Sequence, residues 1–504
     1  MNLTWKRTAI AVALTASFAA PATAQTKPVT IVVPEAIISL DPCSTSHSHV
    51  GRPMKQNVVE TLVELDPANA GVLPRLAKSW ELLDDGITWR FVLRDDVKFH
   101  DGEGFTSAAV KAAVERTLNP QLTCITRDKF FGSTTLETTL VDDYTIDIKP
   151  TPPQTILPIL MTALAISSPK TAPDTEERNP IGTGPFRIEN WTQGESLALR
   201  RFDEYWGGPA AIESVNFVYR EESSVAAAMV TTGEADLAPY ISVQDATNPD
   251  TDVAYLNTET VNLVFTNNVA PLDDVRVRKA MNFAIDRNAF IGTILSKDTQ
   301  VASQYVLPFI NGYNTDIQPW PYDPEQARAL LAEAKADGVP VDTELTFYGA
   351  AGFMSNQTDV MTALVQMWAD VGVNVRIQAI DKAQLIDLLS RPHDGRSAGI
   401  IVRSHDNNTG DAGITLRQNY HSTGSYGEAE DPELDALIEQ GEGASGEDRT
   451  KAFQAAFKRI TDEIVPEAIL FHLVGFARVG DRVEFTPNSL TNSELHLSEI
   501  KLKN

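Results

Sequence analysis

Short runs of period-two alternation and longer runs of three-to-four spacing divide this chain. Ile87, Trp89, Phe91 and Leu93 alternate with more polar residues, which predicts a strand with one buried face. Asp84-Asp85-Gly86 predicts the turn before it and Asp95-Asp96 the turn after it. Val97 and Phe99 then point inward, and His100-Asp101-Gly102 closes the segment. Val29 to Val33 reads as a strand ended by Pro34, and a helix capped by Thr106 or Ser107 runs to about Leu118. Asp142-Asp143 marks a bend before a strand ending at Ile148. Pro150, Pro152 and Pro153 argue against regular structure. Residues 156–166 read as a helix-like apolar run, and the polar, Pro-rich stretch 167–180 as a boundary.

The second half repeats a strand–helix–strand order. Helices are predicted over 225–233, over 273–294 as one or two pieces, and over 324–338, 357–371 and 449–464. A further short helix starts at Asp431-Pro432. Strands are predicted at 261–265, 345–348, 373–377 and 469–473, while 400–427 has no clear period. That alternation argues for α/β sheets with helical cover.

The chain has 504 residues, several domains' worth, with 42 Lys and Arg against 68 Asp and Glu. A net charge of -26 disfavours nucleic acid and anionic membrane surfaces as partners. Lys6 and Arg7, the apolar run from Ala9 to Ala20 and the small residues through Ala24 predict a secretory signal over 1–24, cut after Ala24. The run is too short for a membrane anchor. Of the two cysteines, Cys43 and Cys124, the expectation in an oxidising compartment is one disulfide, with two buried thiols as the alternative. They do not form CxxC, so redox catalysis is unsupported.

Enzyme signatures are missing. None of the eight histidines sits in HExxH, and there is no GxSxG elbow. Ile181 to Phe186 (IGTGPF) is not a nucleotide loop, and the Cys and His residues have no zinc-ligand spacing. A hydrolase with a non-motif site stays as a minor alternative. No cofactor is expected.

Several stretches together carry a resemblance: Leu40-Asp41-Pro42, VVETLV from Val58, LPRLAKSW from Leu73, the block from Asp84 to Gly104, GTGPF from Gly182, RFDEYWGG from Arg201, EADL from Glu234 and DVRVRKAMNFAIDR from Asp274. In this order they resemble the family 5 extracytoplasmic solute-binding proteins of ABC importers, the peptide, nickel and opine type. The resemblance implies a two-lobed α/β protein with a small domain inserted in the first lobe. It divides the mature chain into lobe I (25–58, 180–268 and 478–504), the insert (59–179) and lobe II (269–477). It also implies a monomeric periplasmic receptor that hands its ligand to a membrane permease.

The resemblance extends to the ligand. Dipeptide-binding relatives carry W-x-x-D in the stretch aligned with Gly399 to His405, and their aspartate holds the ligand's amino group. Here Asp406 stands at that aspartate, Arg403 replaces the tryptophan, and Asp411 is the fallback if the loop is shifted. The relatives' carboxylate-binding arginine has no counterpart in Gly349 to Asn356. A longer peptide, a peptide-like conjugate or an opine therefore fits better than a free dipeptide, and a sugar stays open. Nickel or a nickel chelate, using His47, His49 or His405, is the other reading. Val402 stands where nickel-binding relatives place their histidine, which weakens it.

Overall fold

The computed structural model describes Met1 and residues 27–350, 353–354, 356–393, 395–407 and 409–503. The predicted signal over 1–24 lies outside the described residues apart from Met1.

One eleven-stranded sheet runs through most of the molecule. Its order is Val375–Ala379, Leu345–Gly349, Gly399–Asp406, Asp252–Phe265, Glu467–Val479, Leu237–Ile241, Val29–Val33, Ser214–Tyr219, Ser196–Arg201 and Phe186–Thr192, with Gln300–Val301 attached to Glu467–Val479. The two strands at its centre are long, 14 and 13 residues, and pair antiparallel with each other. Their register shifts between Leu256 and Thr260. The extra residues Asn257, Thr258 and Glu259 make a bulge, which bends a strand and re-aims its side chains.

The three largest apolar cores among the described residues surround this frame. One packs the 29–33, 196–201 and 214–219 strands against Val50, Met54 and the C-terminal Leu495, Leu497 and Ile500. A second packs Val261, Leu263 and Phe265 with Trp368, Phe347 and Ile400. The third gathers residues 62–166, including Phe91, Leu93, Val97 and Phe99. It lies under a separate four-stranded antiparallel sheet, ordered Ala77–Leu82, Trp89–Leu93, Thr145–Thr151, Thr135–Asp142.

Local chemistry explains many boundaries. Asp85 accepts from the Ile87 and Thr88 amides at 3.0 and 2.8 Å, shaping the turn in which Gly86 takes φ +68°. Asp323 caps the helix Pro324–Ala336 through the Gln326 amide. Gly182 and Gly184 press on the 57–59 backbone so closely that a Cβ would stand 1.8 and 2.3 Å from carbonyl oxygens. His100 fixes that loop, its amide bonding the Gly182 carbonyl and its ring the Gly184 carbonyl, both at 2.9 Å. Cys43 and Cys124 are joined in a disulfide.

Some elements differ from the sequence reading. The stretch expected to be irregular after Ile400 contains the strand Gly399–Asp406 and the helix Ala412–Asn419. Its first five residues are buried, and the apolar run Gly399 to Val402 before Arg403 therefore lacks alternation. The strand expected at 261–265 begins at Asp252, because its first half carries Asn257, Thr258 and Glu259 at the bulge. Pro150 sits within Thr145–Thr151, beyond Ile148, the last residue paired with Trp89–Leu93, where no partner needs its missing donor on that side. Helix over 156–166 shrinks to Leu157–Leu160.

Candidate functional site

A cavity of about 390 Å³ opens at the bulge of the two central strands. That is within the range of about 300–1,000 Å³ usual for small-molecule sites. Glu259, Asn257, Leu473 and Val474 form its floor. Glu35, Arg52, Tyr240 and Asn492 line one side, while Leu295, Thr299, Phe353 and Met354 line the other. Apolar and charged groups thus face each other across two separately packed bodies.

Arg52 belongs to the short helix Ser48–Met54, which presses onto the C-terminal segment at Gly51, where a Cβ would lie 2.6 Å from the Thr45 and Ser493 oxygens. Only 4% of Arg52 is exposed. Its Nε donates to the Thr491 carbonyl and its Nη2 to Asn492 Oδ1, both at 3.3 Å. Among the described residues it forms no ion pair with a carboxylate. Asn492 turns its other amide atom to Glu259, donating at 3.2 Å. Glu259 pairs directly opposite Asp406 on the neighbouring strand, so the two side chains share a face. Burial first, and the Asp406 charge second, push the Glu259 carboxyl up to about 7.

Asp406 itself meets Lys129 at 3.2 Å, a half-buried pair between residues 277 apart in sequence. His47 and His49 stack with ring centroids 5.2 Å apart, and His49 contacts Glu35 at 3.3 Å. That bond holds the Glu35 carboxyl below its usual range, while burial first, then His49 and Lys129, lower His47.

The other residues singled out from sequence have partners inside the protein. Arg403 is buried, pairs with Glu467 at 3.4 Å, donates to Asn262 and lies over the Tyr305 ring at 5.0 Å. Tyr420 and Asn262 also donate to Glu467. The expected position of Arg403 beside a ligand, within an irregular loop, gives way to a buried strand position. His405 bonds Thr415 at 2.8 Å and burial drops it to about 4. Asp411 caps Ala412–Asn419 and binds Arg449 through both oxygens, at 2.6 and 2.9 Å. Among the described residues, no group of three or more His, Cys, Asp or Glu side chains is placed to hold a metal ion.

Sequence reasoning missed Arg52, Asn492 and Glu259. The available signal was an arginine between apolar Val50 and Met54 in a short helix, and a glutamate interrupting a run that becomes apolar at Val261. A charge inside an apolar pattern asks for a partner.

Residues 71–427 match the sequence pattern of the bacterial extracellular solute-binding proteins, family 5. Heme-binding protein A of Haemophilus influenzae is 29% identical over 466 residues, covering 85% of this chain and 84% of its own. A glutathione-binding protein of Salmonella paratyphi A is 30% identical over 386 residues, 74% and 73% of the two chains. Among solved structures, an ABC transporter substrate-binding protein from Listeria monocytogenes superposes with a TM-score of 0.84 at 20% identity, over 94% of this chain and 99% of its own.

Proposed function

Given that the chain belongs to the bacterial extracellular solute-binding proteins of family 5, and so is an ABC transporter's substrate-binding protein rather than an enzyme, we propose that its cargo is a peptide or peptide-like zwitterion. The observation that carries this reading is the acidic wall at the cavity, which Glu35 and Glu259 line, with Asp406 opposite Glu259 on the adjoining strand. An ammonium group placed there would offset the burial and the Asp406 charge that raise Glu259, and charge-assisted bonds to carboxylates are strong. The names of the glutathione- and dipeptide-binding relatives support the same class.

In the two-lobed reading, the two long strands join the lobes, and their register breaks near Asn257–Glu259 and Leu473. Closure about that bulge brings Phe353 and Met354 toward Arg52 and Tyr240, so a ligand touching both sides favours the closed form. The protein acts as a periplasmic monomer that passes its ligand to permease subunits. No helix among the described residues is long and apolar enough to cross a membrane.

Native mass spectrometry of protein purified without refolding, followed by calorimetry with a peptide mixture and with histidine-chelated nickel, tests the cargo. A co-purified amine-bearing peptide, or binding from the peptide mixture alone, is expected. Binding of the nickel chelate with no response to peptides would overturn the zwitterion reading.

A further inference from the structure

The cavity contains a cation as well as the acidic wall. Arg52 is nine-tenths or more buried, lines the cavity, and among the described residues its guanidinium is bonded only to the neutral Thr491 carbonyl and Asn492 amide oxygen. A buried guanidinium is ordinarily matched by a carboxylate, because its desolvation is otherwise uncompensated. Among the other buried arginines, Arg403 has Glu467, Arg449 has Asp411 and Arg116 has Asp41, while Arg278 and Arg287, which lack a carboxylate, are held by four and three bonds to neutral oxygens where Arg52 has two and faces the cavity. Arg52 is held in place but not neutralised. Asn492 fixes its position, and the same amide bonds Glu259 with its other end. One side chain therefore sets the spacing between a cationic and an anionic group on the cavity wall.

We propose that Arg52 takes the carboxylate of the cargo, and that Asn492 couples this anchor to Glu259, which with Asp406 takes the ammonium. The site would then read the two charged ends of a short zwitterion against one rigid ruler. This assignment rests on the cargo reading above and adds the residue for the anionic end. A planar guanidinium suits it, since it binds a carboxylate through two parallel bonds. Arg52 is near enough to Glu35 beside it and to Glu259 on the floor to act on the charge of both, but among the described residues it forms no ion pair with either. A carboxylate of the cargo would supply the missing partner.

The test uses the full mature chain and tri-alanine, its C-terminal amide and its N-acetyl form as calorimetric probes. Wild type should bind the free acid about 30-fold or more tightly than the amide, the usual cost of removing one partner of a buried charge pair. In Arg52→Gln that preference should vanish, with acid and amide binding alike, whereas Arg52→Lys should keep part of it. Arg52→Gln should melt no lower than wild type, because it removes an unmatched buried charge; a marked fall in melting temperature with the acid preference intact would make Arg52 structural and overturn the assignment. An unchanged acid-to-amide ratio in Arg52→Gln overturns it as well, while the cargo reading stands. Equal binding of the N-acetyl form would remove the acidic wall's role and leave Arg52's. If wild type binds none of the three probes, both readings fall.

Discussion

Two glutamates in this protein live opposite lives. Glu60 is fully buried and accepts from Arg75 at 2.7 Å, Thr183 at 2.7 Å, Tyr205 at 2.9 Å and Trp206 at 3.0 Å. Glu259 is partly buried at the cavity floor, faces Asp406 and receives one bond, from Asn492. Every lone pair of the first is committed to the fold, while the second is left in an electrostatic position that burial and a like charge make unfavourable. For these two carboxylates, the number of committed bonds separates scaffold from site better than burial does. Arg403 and Arg52 repeat the contrast, being 5% and 4% exposed, with a carboxylate partner for only the first.

The strongest way to break the comparison is to disturb the satisfied member. Glu60→Gln leaves Arg75 deep in the junction with a weaker acceptor and should cost roughly 3–5 kcal/mol of stability. Asp411→Asn, which unpairs Arg449 and weakens a helix cap, should fall in the same range. Neither should change tri-alanine affinity measured well below the melting transition. Denaturant unfolding alongside calorimetry checks both, and a variant that loses affinity while keeping its stability would move that carboxylate from scaffold to site.

The unsatisfied member should respond with the opposite sign. The Glu259 carboxyl is raised from 4.5 to about 7 in the folded protein. Between those values the native state holds more protons than the unfolded chain, so stability falls as pH rises from about 4.5 to about 7 and is level above that. Glu259→Gln removes the penalty. The variant should be more stable than wild type by about 1–2 kcal/mol at pH 8, with the gain gone at pH 4. Urea midpoints at the two pH values decide it, and a variant less stable than wild type at pH 8 would mean that the Asn492 bond outweighs the repulsion.

The same contrast explains what the sequence could disclose. Glu60 comes from VVETLV, Arg75 from LPRLAKSW, Thr183 from GTGPF, and Tyr205 with Trp206 from RFDEYWGG. These motifs meet in one buried network, so they announce the family by announcing its scaffold. Strand and helix periods were readable wherever one face was buried, as at Trp89–Leu93 and Pro324–Ala336. They failed at Gly399–Asp406, where burial on both sides erases alternation, and at the bulge, where polar residues interrupt the long strand. The cavity residues come from positions 52, 259 and 492, joined only by folding. No local spacing connects them. Asp406 ends a strand next to recognisable sequence and pairs with Lys129, whereas Arg403, three residues earlier, points into the core.

Asp406 and Lys129 make the finest test, because their pair is intermediate between the two extremes. Their side chains are 32% and 31% exposed, so the pair should contribute at most about 1 kcal/mol to stability. Lys129 also occupies the place where a ligand ammonium would sit, and so competes with it. Asp406→Asn should therefore weaken tri-alanine binding by about 10-fold, less than Arg52→Gln, and Lys129→Gln should strengthen it by a few-fold. Both variants should unfold within about 1 kcal/mol of wild type. Asp406→Asn should also lower the pH at which Glu259 loses its proton, because the Asp406 charge is the second cause of its rise. Opposite shifts in affinity at nearly constant stability would place this pair on the site side. A loss in both variants would mean that Lys129 and Asp406 hold the insert against lobe II and that their bond is needed to form the cleft.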